Sequence, residues 1–451
     1  MDVRGLRCTV AGMGQSGLAT LELLVRRGAI ARGSAVRPPA EWKPEDAARF
    51  EACGAPFVPQ GPAAIEGADL IILSPGVRPD QEIFEQARAA GVPVTGDVEF
   101  ASRFLRGKVL AITGSNGKTT TTALCGHLLA AQGLKVRVGG NIGTPLAAFV
   151  EDLTDDSWAV LEMSSFQAEM LSSMRIHIGV ALNVTPDHLD RHGTFANYAA
   201  AKARMFAFQQ PEDHAVLNRA DATTAGYAAQ TRARVSWFQT AGRLESGFWL
   251  EDGMLYADGE EWMPAAGIPL RGLHNVENVL AAGCAARLAG VTLETARAAV
   301  QSFPGVEHRL EFVRRLDGVD WFNDSKATNA DATVKAIESF PGGLWVILGG
   351  KDKDSDYRPL APLLRARARG ALLIGAAAAK IRAHLEPMLA AGFLLDCGTL
   401  ENAVREARAR AAAGDTVLLA PACASFDQFT SYEHRGRVFK ELVQSLEGAR
   451  T

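Results

Sequence analysis

Residues 108–122 read KVLAITGSNGKTTTT, and this stretch decides how the rest of the chain is interpreted. Lys108 to Thr113 is an apolar run with the length of a buried strand, and the residues after Lys118 have helical apolar spacing. Between them, the glycine-rich turn 114–117 would present backbone N–H groups and the positive end of a helix dipole to an anion. The stretch therefore predicts a phosphate-binding loop between a strand and a helix.

The side chains that follow this turn suit a nucleotide triphosphate. The ammonium of Lys118 can reach terminal phosphates, and the hydroxyl of Thr119 can ligate magnesium. The loop is shorter than the usual P-loop, because Gly114 stands only four positions before Lys118.

Composition limits the class of protein. A chain of 451 residues is too long for one core and predicts two to four domains. A net charge of −4 gives no reason to expect a nucleic acid or a membrane as partner. No apolar run is long enough for a signal peptide or a membrane span, and the six cysteines lack metal-ligand spacing. We therefore expect a cytoplasmic protein whose cysteines are mostly reduced core residues.

Residues 1–106 alternate apolar runs with helical patterns, which predicts a parallel sheet with crossover helices. A strand at 7–11 leads into Gly12–Gly17, which fits the dinucleotide pattern G-x-G-x-x-G. The next strand, 31–37, offers no acid for a ribose, so NAD is disfavoured. A second glycine turn, Ser74-Pro75-Gly76, follows the strand 69–73. Two such turns favour a cleft for a diphosphate, although packing alone could also require them.

Residues 107–304 place further polar groups at strand ends. The strand 157–162 ends in Glu162, where nucleotide enzymes hold their metal. The strand 178–183 is followed by a polar loop with His188, whose imidazole suits a second magnesium or a substrate contact. Lys202, taken alone, reads as a surface lysine. Asn275 and Asn278 share one face of a predicted helix at 270–290 and could read an adenine edge, although capping would explain one of them.

Residues 302–306 form a Pro-Gly break, the expected domain boundary, and residues 307–451 return to strand–helix alternation. Polar clusters follow the strands 319–323, 344–348 and 416–419. Because ligands bind at the carboxyl edge of parallel sheets, these clusters predict another site.

Together these motifs resemble the Mur ligase and folylpolyglutamate synthetase superfamily over nearly the whole chain. The shared signals are TGSNGKTT, GNIG, LEMSSFQ, NVTPDHLDRH and LHNVENVLAA. The signals NDSKATN, GGKDK and PACASFDQF resemble the Mur ligases that add D-glutamate. That family often has an acid and a threonine before the uridine-site arginine, whereas here Ala35 and Val36 precede Arg37.

The resemblance implies an α/β fold with three domains. Residues 1–106 would be a Rossmann-like domain for the UDP substrate, residues 107–304 a central P-loop-type ATPase domain with a mostly parallel sheet, and residues 305–451 a Rossmann-like domain for the amino acid. It also implies ATP, two Mg²⁺ ions and a carbamylated lysine. The partners would be UDP-N-acetylmuramoyl-L-alanine, D-glutamate and ATP, and we expect a monomer.

The resemblance also implies roles for individual residues. The catalytic set would be Lys118, His188, Lys202 and Lys326. The ATP set would be Gly114, Ser115, Asn116, Gly117, Lys118, Thr119, Thr120, Asn275, Asn278, Arg309 and Asp324. The metal ligands would be Thr119, Glu162, His188 and carbamylated Lys202. The UDP-substrate set would be Gln15, Ser16, Arg37, Ser74, Gly76, Asn141, Ser164 and Gln167. The D-glutamate set would be Thr328, Lys353, Ser425 and Phe426, with Lys326 beside them.

Two alternatives remain open at this stage. One is a sister ligase or folyl-glutamate ligase that adds another amino acid, against which NDSKATN argues. The other is a non-catalytic nucleotide-binding regulator, which would not need both Lys118 and Glu162.

Overall fold

The structure is a computed structural model that describes residues 1–448. Its three sheets are each confined to one of the three predicted stretches, which confirms the α/β class. The residue boundaries of the three domains stay a prediction. The chain forms two compact units, residues 1–265 with 277–301, and residues 266–276 with 302 onward.

The N-terminal sheet is parallel throughout, in the order β3-β2-β1-β4-β5. Its strands are β1 (Arg7–Ala11), β2 (Ile30–Ala35), β3 (Phe57–Pro59), β4 (Leu70–Leu73) and β5 (Val94–Gly96). Its helices are α1 (Gln15–Arg26), α2 (Pro44–Ala52), α3 (Pro62–Ile65), α4 (Glu82–Ala89) and α5 (Asp97–Ser102). The strand order reverses between β1 and β4, so the two predicted glycine turns lie side by side at the switch point, where such sheets bind ligands.

The central sheet has the order β14-β13-β12-β11-β10-β9-β6-β8-β7. Its strands are β6 (Lys108–Thr113), β7 (Lys135–Gly140), β8 (Ser157–Glu162), β9 (Ile178–Ala181), β10 (His214–Asn218), β11 (Arg234–Gln239), β12 (Phe248–Glu251), β13 (Met254–Ala257) and β14 (Glu260–Pro264). Its helices are α6 (Lys118–Ala131), α7 (Leu146–Phe149), α8 (Ser165–Ala168), α9 (Leu189–His192), α10 (Phe195–Ala203), α11 (Ala222–Gly226), α12 (Leu273–Leu288) and α13 (Leu293–Ser302).

The predicted phosphate-loop strand is an interior strand of this sheet. β6 pairs in parallel with β8 on one side and β9 on the other, and its residues from Val109 to Thr113 are buried. Parallel strands that are covered on both faces are nearly continuous apolar runs. For this reason the bounds predicted for β6 from the sequence agree with the structure at both ends. The last paired residues, Ile112 and Glu162, bring the metal-site carboxylate to the end of the phosphate-loop strand.

The glycine-dense segment 139–145 has the sequence of a turn-rich loop. The prediction of a loop is wrong at the start of this segment, because β7 continues through Gly139 and Gly140. Gly140 has φ +107°, and a Cβ there would lie 2.4 Å from the carbonyl oxygen of Glu162. The glycines therefore let β7 end close against β8.

The C-terminal sheet has the order β15-β16-β20-β17-β18-β19, with β15 antiparallel to the rest. Its strands are β15 (Glu311–Leu316), β16 (Val319–Asn323), β17 (Leu344–Gly349), β18 (Ala368–Ile374), β19 (Leu394–Gly398) and β20 (Thr416–Leu419). Its helices are α14 (Ala330–Glu338), α15 (Ala361–Arg367), α16 (Ala378–Leu385), α17 (Leu400–Arg410) and α18 (Tyr432–Ser445). Because β20 lies between β16 and β17, the three predicted polar loops are neighbours at one sheet edge.

All six cysteines are free thiols, and five of them are buried, as expected for small core residues. Among residues 1–448, the helices are too short or too polar to cross a membrane.

Candidate active site

The turn before α6 can be built only with glycine at its last position. Gly117 has φ +85°, and a Cβ there would lie 2.3 Å from Oδ1 of Asn278. Asn278 is buried and accepts a hydrogen bond from the hydroxyl of Thr121 at 3.2 Å. The predicted nucleotide residue Asn278 therefore packs directly against the phosphate loop.

The rest of the loop is fixed by the strand-end segment after β9. The hydroxyl of Ser115 donates to the carbonyl oxygen of Thr185 at 2.9 Å and lies 3.0 Å from the hydroxyl of Tyr198. The backbone N–H of Asn116 donates to Oδ1 of Asn183 at 2.9 Å. Because these hydrogen bonds hold the loop without a ligand, the loop would lose little conformational entropy when a ligand binds.

The predicted metal ligands Thr119 and Glu162 meet in the structure. The hydroxyl of Thr119 donates to one carboxylate oxygen of Glu162 at 2.8 Å, and the side-chain amide of Asn141 donates to the other at 2.9 Å. Glu162 is buried, and Thr120 beside Thr119 is buried in the same helical turn. A hydroxyl and a buried carboxylate are the hard oxygen donors that magnesium prefers, so this pair fits the ion.

Lys202, which the sequence alone suggested to be a surface residue, is 1% exposed. Its ammonium donates to the carbonyl oxygen of Gly114 at 2.8 Å and lies 4.6 Å from the centre of the Tyr198 ring. Burial lowers the pKa of Lys202 well below 10.5, and the nearby ammonium of Lys118 lowers it further. A lowered pKa increases the fraction of neutral amine, which is the form that carbamylation requires, so Lys202 fits that modification.

His188 caps α9 with φ +52° and is half-exposed. Desolvation lowers the pKa of its imidazole, and Lys118 and Lys202 act in the same direction against the opposing effect of Asp187. The ring of Phe166 packs edge-on at 5.0 Å. A neutral imidazole is a competent metal ligand, so His188 fits the predicted role.

A cavity of about 580 Å³ lies at the switch point of the N-terminal sheet. It is lined by Gly12, Gly14, Gln15, Ser16, Ala35, Val36, Gln60, Ser74, Pro75, Gly76, Val77, Gln81 and Asn141. Five of the eight predicted UDP-substrate residues are in this lining, namely Gln15, Ser16, Ser74, Gly76 and Asn141.

The other three have different surroundings. Arg37 is exposed, and its carbonyl oxygen accepts the indole N–H of Trp42 at 2.8 Å. Ser164 and Gln167 form a capping box at α8, in which each side chain bonds the other's backbone N–H. Their roles toward a substrate stay predictions.

A second cavity, of about 500 Å³, lies in the C-terminal unit. Asn275 and Arg309 line it, as does Arg271, which the sequence analysis did not single out. The guanidinium of Arg271 lies 4.9 Å from the Phe322 ring centre, and its carbonyl oxygen accepts the amide of Asn275 at 2.7 Å. Buried Asp324 follows β16, and burial raises its pKa to about 6.

The predicted D-glutamate residues lie on the neighbouring loops of the C-terminal sheet. Ser425 is buried, whereas Phe426 and Lys353 are exposed. The ammonium of Lys326 lies 5.3 Å from the Tyr432 ring centre, and half-buried Thr328 donates its backbone N–H to the Lys326 carbonyl oxygen at 2.9 Å.

A buried arginine that the sequence analysis missed ties two of these loops together. Arg435 on α18 is fully buried and donates to the hydroxyl and the carbonyl oxygen of Ser325, at 3.0 and 2.8 Å. It also donates to the carbonyl oxygens of Cys423 and Ala424, at 3.1 and 3.3 Å. The planar guanidinium has five N–H donors in a rigid arrangement, so Arg435 can hold the loops that carry Lys326 and Ser425 in fixed positions.

Comparison with known proteins bears on these sites. Residues 112–286 match the family profile of the Mur ligase middle domain, and residues 308–423 match that of the Mur ligase, glutamate ligase domain. The chain is 55% identical to a UDP-N-acetylmuramoylalanine--D-glutamate ligase of Solibacter usitatus, over 99% of both chains. A protein of the same name from Acidobacterium capsulatum is 50% identical, over 100% of this chain and 98% of that protein.

Solved structures resemble this one in fold. The structure of a UDP-N-acetylmuramate-alanine ligase from Thermotoga maritima matches with a TM-score of 0.62 and 19% identity, covering 98% of this chain and 99% of that chain. A pseudomurein peptide ligase type C from Methanothermus fervidus matches with a TM-score of 0.61 and 18% identity, covering 98% of this chain and 100% of that chain.

Proposed function

The chain belongs to the Mur ligase family, and we propose that it is the ATP-dependent ligase that adds D-glutamate to UDP-N-acetylmuramoyl-L-alanine in peptidoglycan synthesis. The observation that carries this proposal is the 50–55% identity, over nearly the full length of the chain, to relatives that are named for this activity. The phosphate loop, with Lys118 and buried Glu162 both present, supports a catalytic role independently, because a nucleotide-binding regulator would not need both.

The proposed reaction has two bond-forming steps. The terminal carboxylate of the UDP substrate attacks the γ-phosphate of ATP, which forms an acyl phosphate and releases ADP. The amine of D-glutamate then attacks the acyl carbon, an amide forms, and inorganic phosphate leaves. Lys118 would hold the γ-phosphate oxygens during the first step, where its charge offsets the repulsion between two anions.

The residues around the phosphate loop would hold two magnesium ions, which neutralise phosphate and carboxylate charge when bound. Thr119 and Glu162 would bind one ion, and His188 and a carbamylated Lys202 the other. The carbamate would convert a buried cation into an anion. The depressed pKa of Lys202 supports this assignment, because only the neutral amine reacts with carbon dioxide.

The remaining assignments follow the cavities and loops of each unit. The N-terminal cavity would hold the UDP part of the substrate. Asn275, Arg309 and Asp324 would contact ATP, with Arg309 on its phosphates and Asp324 on its ribose. Lys353, Ser425 and Phe426 with Thr328 and Lys326 would hold D-glutamate. We further propose that the protein acts as a cytoplasmic monomer with domains at 1–106, 107–304 and 305–451.

A substrate panel tests the function. ADP and phosphate release would be measured with ATP, Mg²⁺ and UDP-N-acetylmuramoyl-L-alanine, adding D-glutamate, L-glutamate, L-alanine, L-lysine or diaminopimelate in turn. We expect turnover with D-glutamate only, and none when magnesium or the UDP substrate is left out. Preferred turnover with another amino acid would favour a sister ligase. Nucleotide binding without turnover on any substrate would favour the regulator.

A further inference from the structure

Two glutamine side chains meet across the cavity of the N-terminal sheet. Gln60 follows β3, and Gln81 directly precedes α4; both line the cavity and are half-buried. The amide Nε2 of Gln60 donates to Oε1 of Gln81 at 2.7 Å. In the sheet order, β2 and β1 lie between β3 and β4, so this pair spans the carboxyl ends of two strands.

The backbone of each glutamine is fixed independently of its side chain. The N–H of Gln60 donates to the carbonyl oxygen of Ala35 at 3.1 Å, and the carbonyl oxygen of Gln81 accepts the N–H of Phe84 at 2.9 Å. The side chain of Gln81 makes no capping bond to α4. The two side-chain amides can therefore contact a ligand without disturbing these backbone hydrogen bonds.

Several other polar side chains in the cavity lining already donate hydrogen bonds to other groups of the protein. Ser74 donates to the carbonyl oxygen of Gly12 at 2.7 Å, Asn141 donates to Glu162, and Ser16 bonds the buried carboxyl of Asp97. Toward a ligand, the two serines therefore offer mainly hydroxyl lone pairs, and Asn141 its Oδ1 and second amide hydrogen. Gln60 and Gln81 use one donor and one acceptor on each other, and their remaining amide groups can bond a ligand while that bond is kept.

The chemistry of the pair selects its ligand. After bonding each other, the amides keep the acceptor Oε1 of Gln60 and the donor Nε2 of Gln81 for a ligand. An imide edge, with an N–H donor next to a carbonyl acceptor, matches both at once. The exposed side chain of Val36, together with Val77, supplies apolar surface for a flat ring. A diphosphate gains little from neutral amides and suits the glycine turns at β1 and β4 instead.

We propose that Gln60 and Gln81 read the imide edge of uracil in the UDP substrate, an inference that rests on the proposed function. The acceptor of Gln60 takes the N3–H, and the donor of Gln81 bonds an adjacent carbonyl oxygen. The last residue of β2, Ala35, and the next residue, Val36, are apolar, so the base is specified by Gln60 and Gln81 from the segments after β3 and before α4.

The test compares binding of UDP with binding of N3-methyl-UDP, which lacks the imide N–H. The variants are Gln60→Ala, Gln81→Met and the matched control Gln86→Ala, whose exposed glutamine lies on α4 outside the cavity lining. Each neutral hydrogen bond contributes enough that its loss weakens UDP binding by about 3- to 10-fold. We expect this loss for Gln60→Ala and Gln81→Met but not for Gln86→Ala, with the KM values for ATP and D-glutamate unchanged.

Binding of N3-methyl-UDP distinguishes a lost contact to the uracil N3–H from a general change in the shape of the cavity. N3-methylation of UDP should weaken its binding to the full-length wild-type protein by about 10-fold. It should weaken binding to Gln60→Ala much less, because the contact to N3–H is already absent in that variant. Equal losses in wild type and Gln60→Ala, or unchanged UDP binding by both variants, would overturn the inference. If wild type turns over D-glutamate but the variants bind UDP normally, only this inference fails; if wild type binds no UDP, the proposed function itself fails.

Discussion

The ammonium groups of Lys118 and Lys202 both donate to the carbonyl oxygen of Gly114, each at 2.8 Å. Two cations on one acceptor repel each other, and the charge of Lys118 is one cause of the depressed pKa of Lys202. An anion placed here, such as a phosphate on Lys118 or a carbamate on Lys202, would remove that repulsion. The carboxylates of Asp187 and Glu162 already oppose this lowering of the Lys202 pKa, so an added anion would act in the same direction as they do.

The first prediction concerns Lys118. Lys118→Ala should lower kcat by on the order of 10²-fold or more, because the ammonium offsets charge on the transferring phosphate. Phosphate release is the measurement, with thermal unfolding to show that the fold is retained. Lys135→Ala is the matched control, since Lys135 is exposed and pairs with Asp156 on the surface. Near-wild-type turnover in Lys118→Ala would show that the phosphate loop has been misassigned.

The second prediction concerns carbamylation of Lys202. Lys202→Ala should be nearly inactive, and millimolar formate or acetate should restore part of the turnover by replacing the lost anion. Lys202→Arg keeps the charge but cannot be carbamylated, so it should be inactive as well. Since a protonated amine does not react with carbon dioxide, removal of dissolved carbon dioxide should reduce wild-type activity more at pH 6 than at pH 8.

Two outcomes would contradict this second prediction. One is unchanged turnover in Lys202→Ala. The other is a variant that stays folded and inactive but gains nothing from any short carboxylate, which would leave Lys202 a purely structural cation.

Much of the fold could be predicted because its strands are buried on both faces. The strands β1, β6, β8, β16 and β20 begin and end where the sequence predicted or within a residue of it. Each is a short, mainly apolar run that ends in a glycine turn or a polar cluster. The strand and the polar residues after it can therefore both be predicted from a short stretch of sequence. The contact between Thr119 and Glu162 follows from the pairing of two such strands.

Other features depend on pairings that local patterns do not encode. Strand β12 pairs in parallel with β11 and begins an antiparallel run, β12–β14, that the sequence patterns do not predict. Arg435 is on a helix of mixed polarity and reads as a surface residue, yet it is fully buried between two loops. Lys202 gave no signal of its burial either. In each case, the environment comes from segments distant in the sequence.

The third prediction is a pH dependence of stability that comes from Asp324. Burial raises the pKa of its carboxyl from 3.8 to about 6 in the folded protein. The folded state therefore holds this proton more tightly, and the stability it contributes is present below pH 3.8 and lost as the pH rises through about 6. The whole change is on the order of 3 kcal/mol.

Asp324→Asn should remove this dependence. Denaturant unfolding of wild type and variant between pH 4 and pH 8 is the measurement, and the variant should gain in relative stability as the pH rises. Asp331→Asn, which changes a half-exposed carboxylate on α14, is the control. Parallel pH profiles for Asp324→Asn and wild type would show that Asp324 is ionised throughout this range.

The last prediction concerns the choice of amino acid. Lys353 and the Ser425–Phe426 turn are proposed to bind one carboxylate of D-glutamate, and Thr328 with Lys326 to orient the other. D-Glutamate would bury the ammonium of Lys353, and removing one partner of a buried charge pair costs roughly 2–5 kcal/mol. Lys353→Ala should therefore raise the KM for D-glutamate by on the order of 10²-fold with little change for ATP. Lys351→Ala is the matched control, because Lys351 is also exposed and its backbone pairs with Ala424.

The same anchors make a stereochemical prediction. If both carboxylates are held, only the D configuration aims the amine at the acyl carbon, so L-glutamate should lose at least as much in kcat/KM as Lys353→Ala does. Steady-state kinetics with both enantiomers, on wild type and Lys353→Ala, is the measurement. An effect of Lys353→Ala on the ATP constant alone, or equal use of L-glutamate by wild type, would place the glutamate pocket elsewhere in the C-terminal unit.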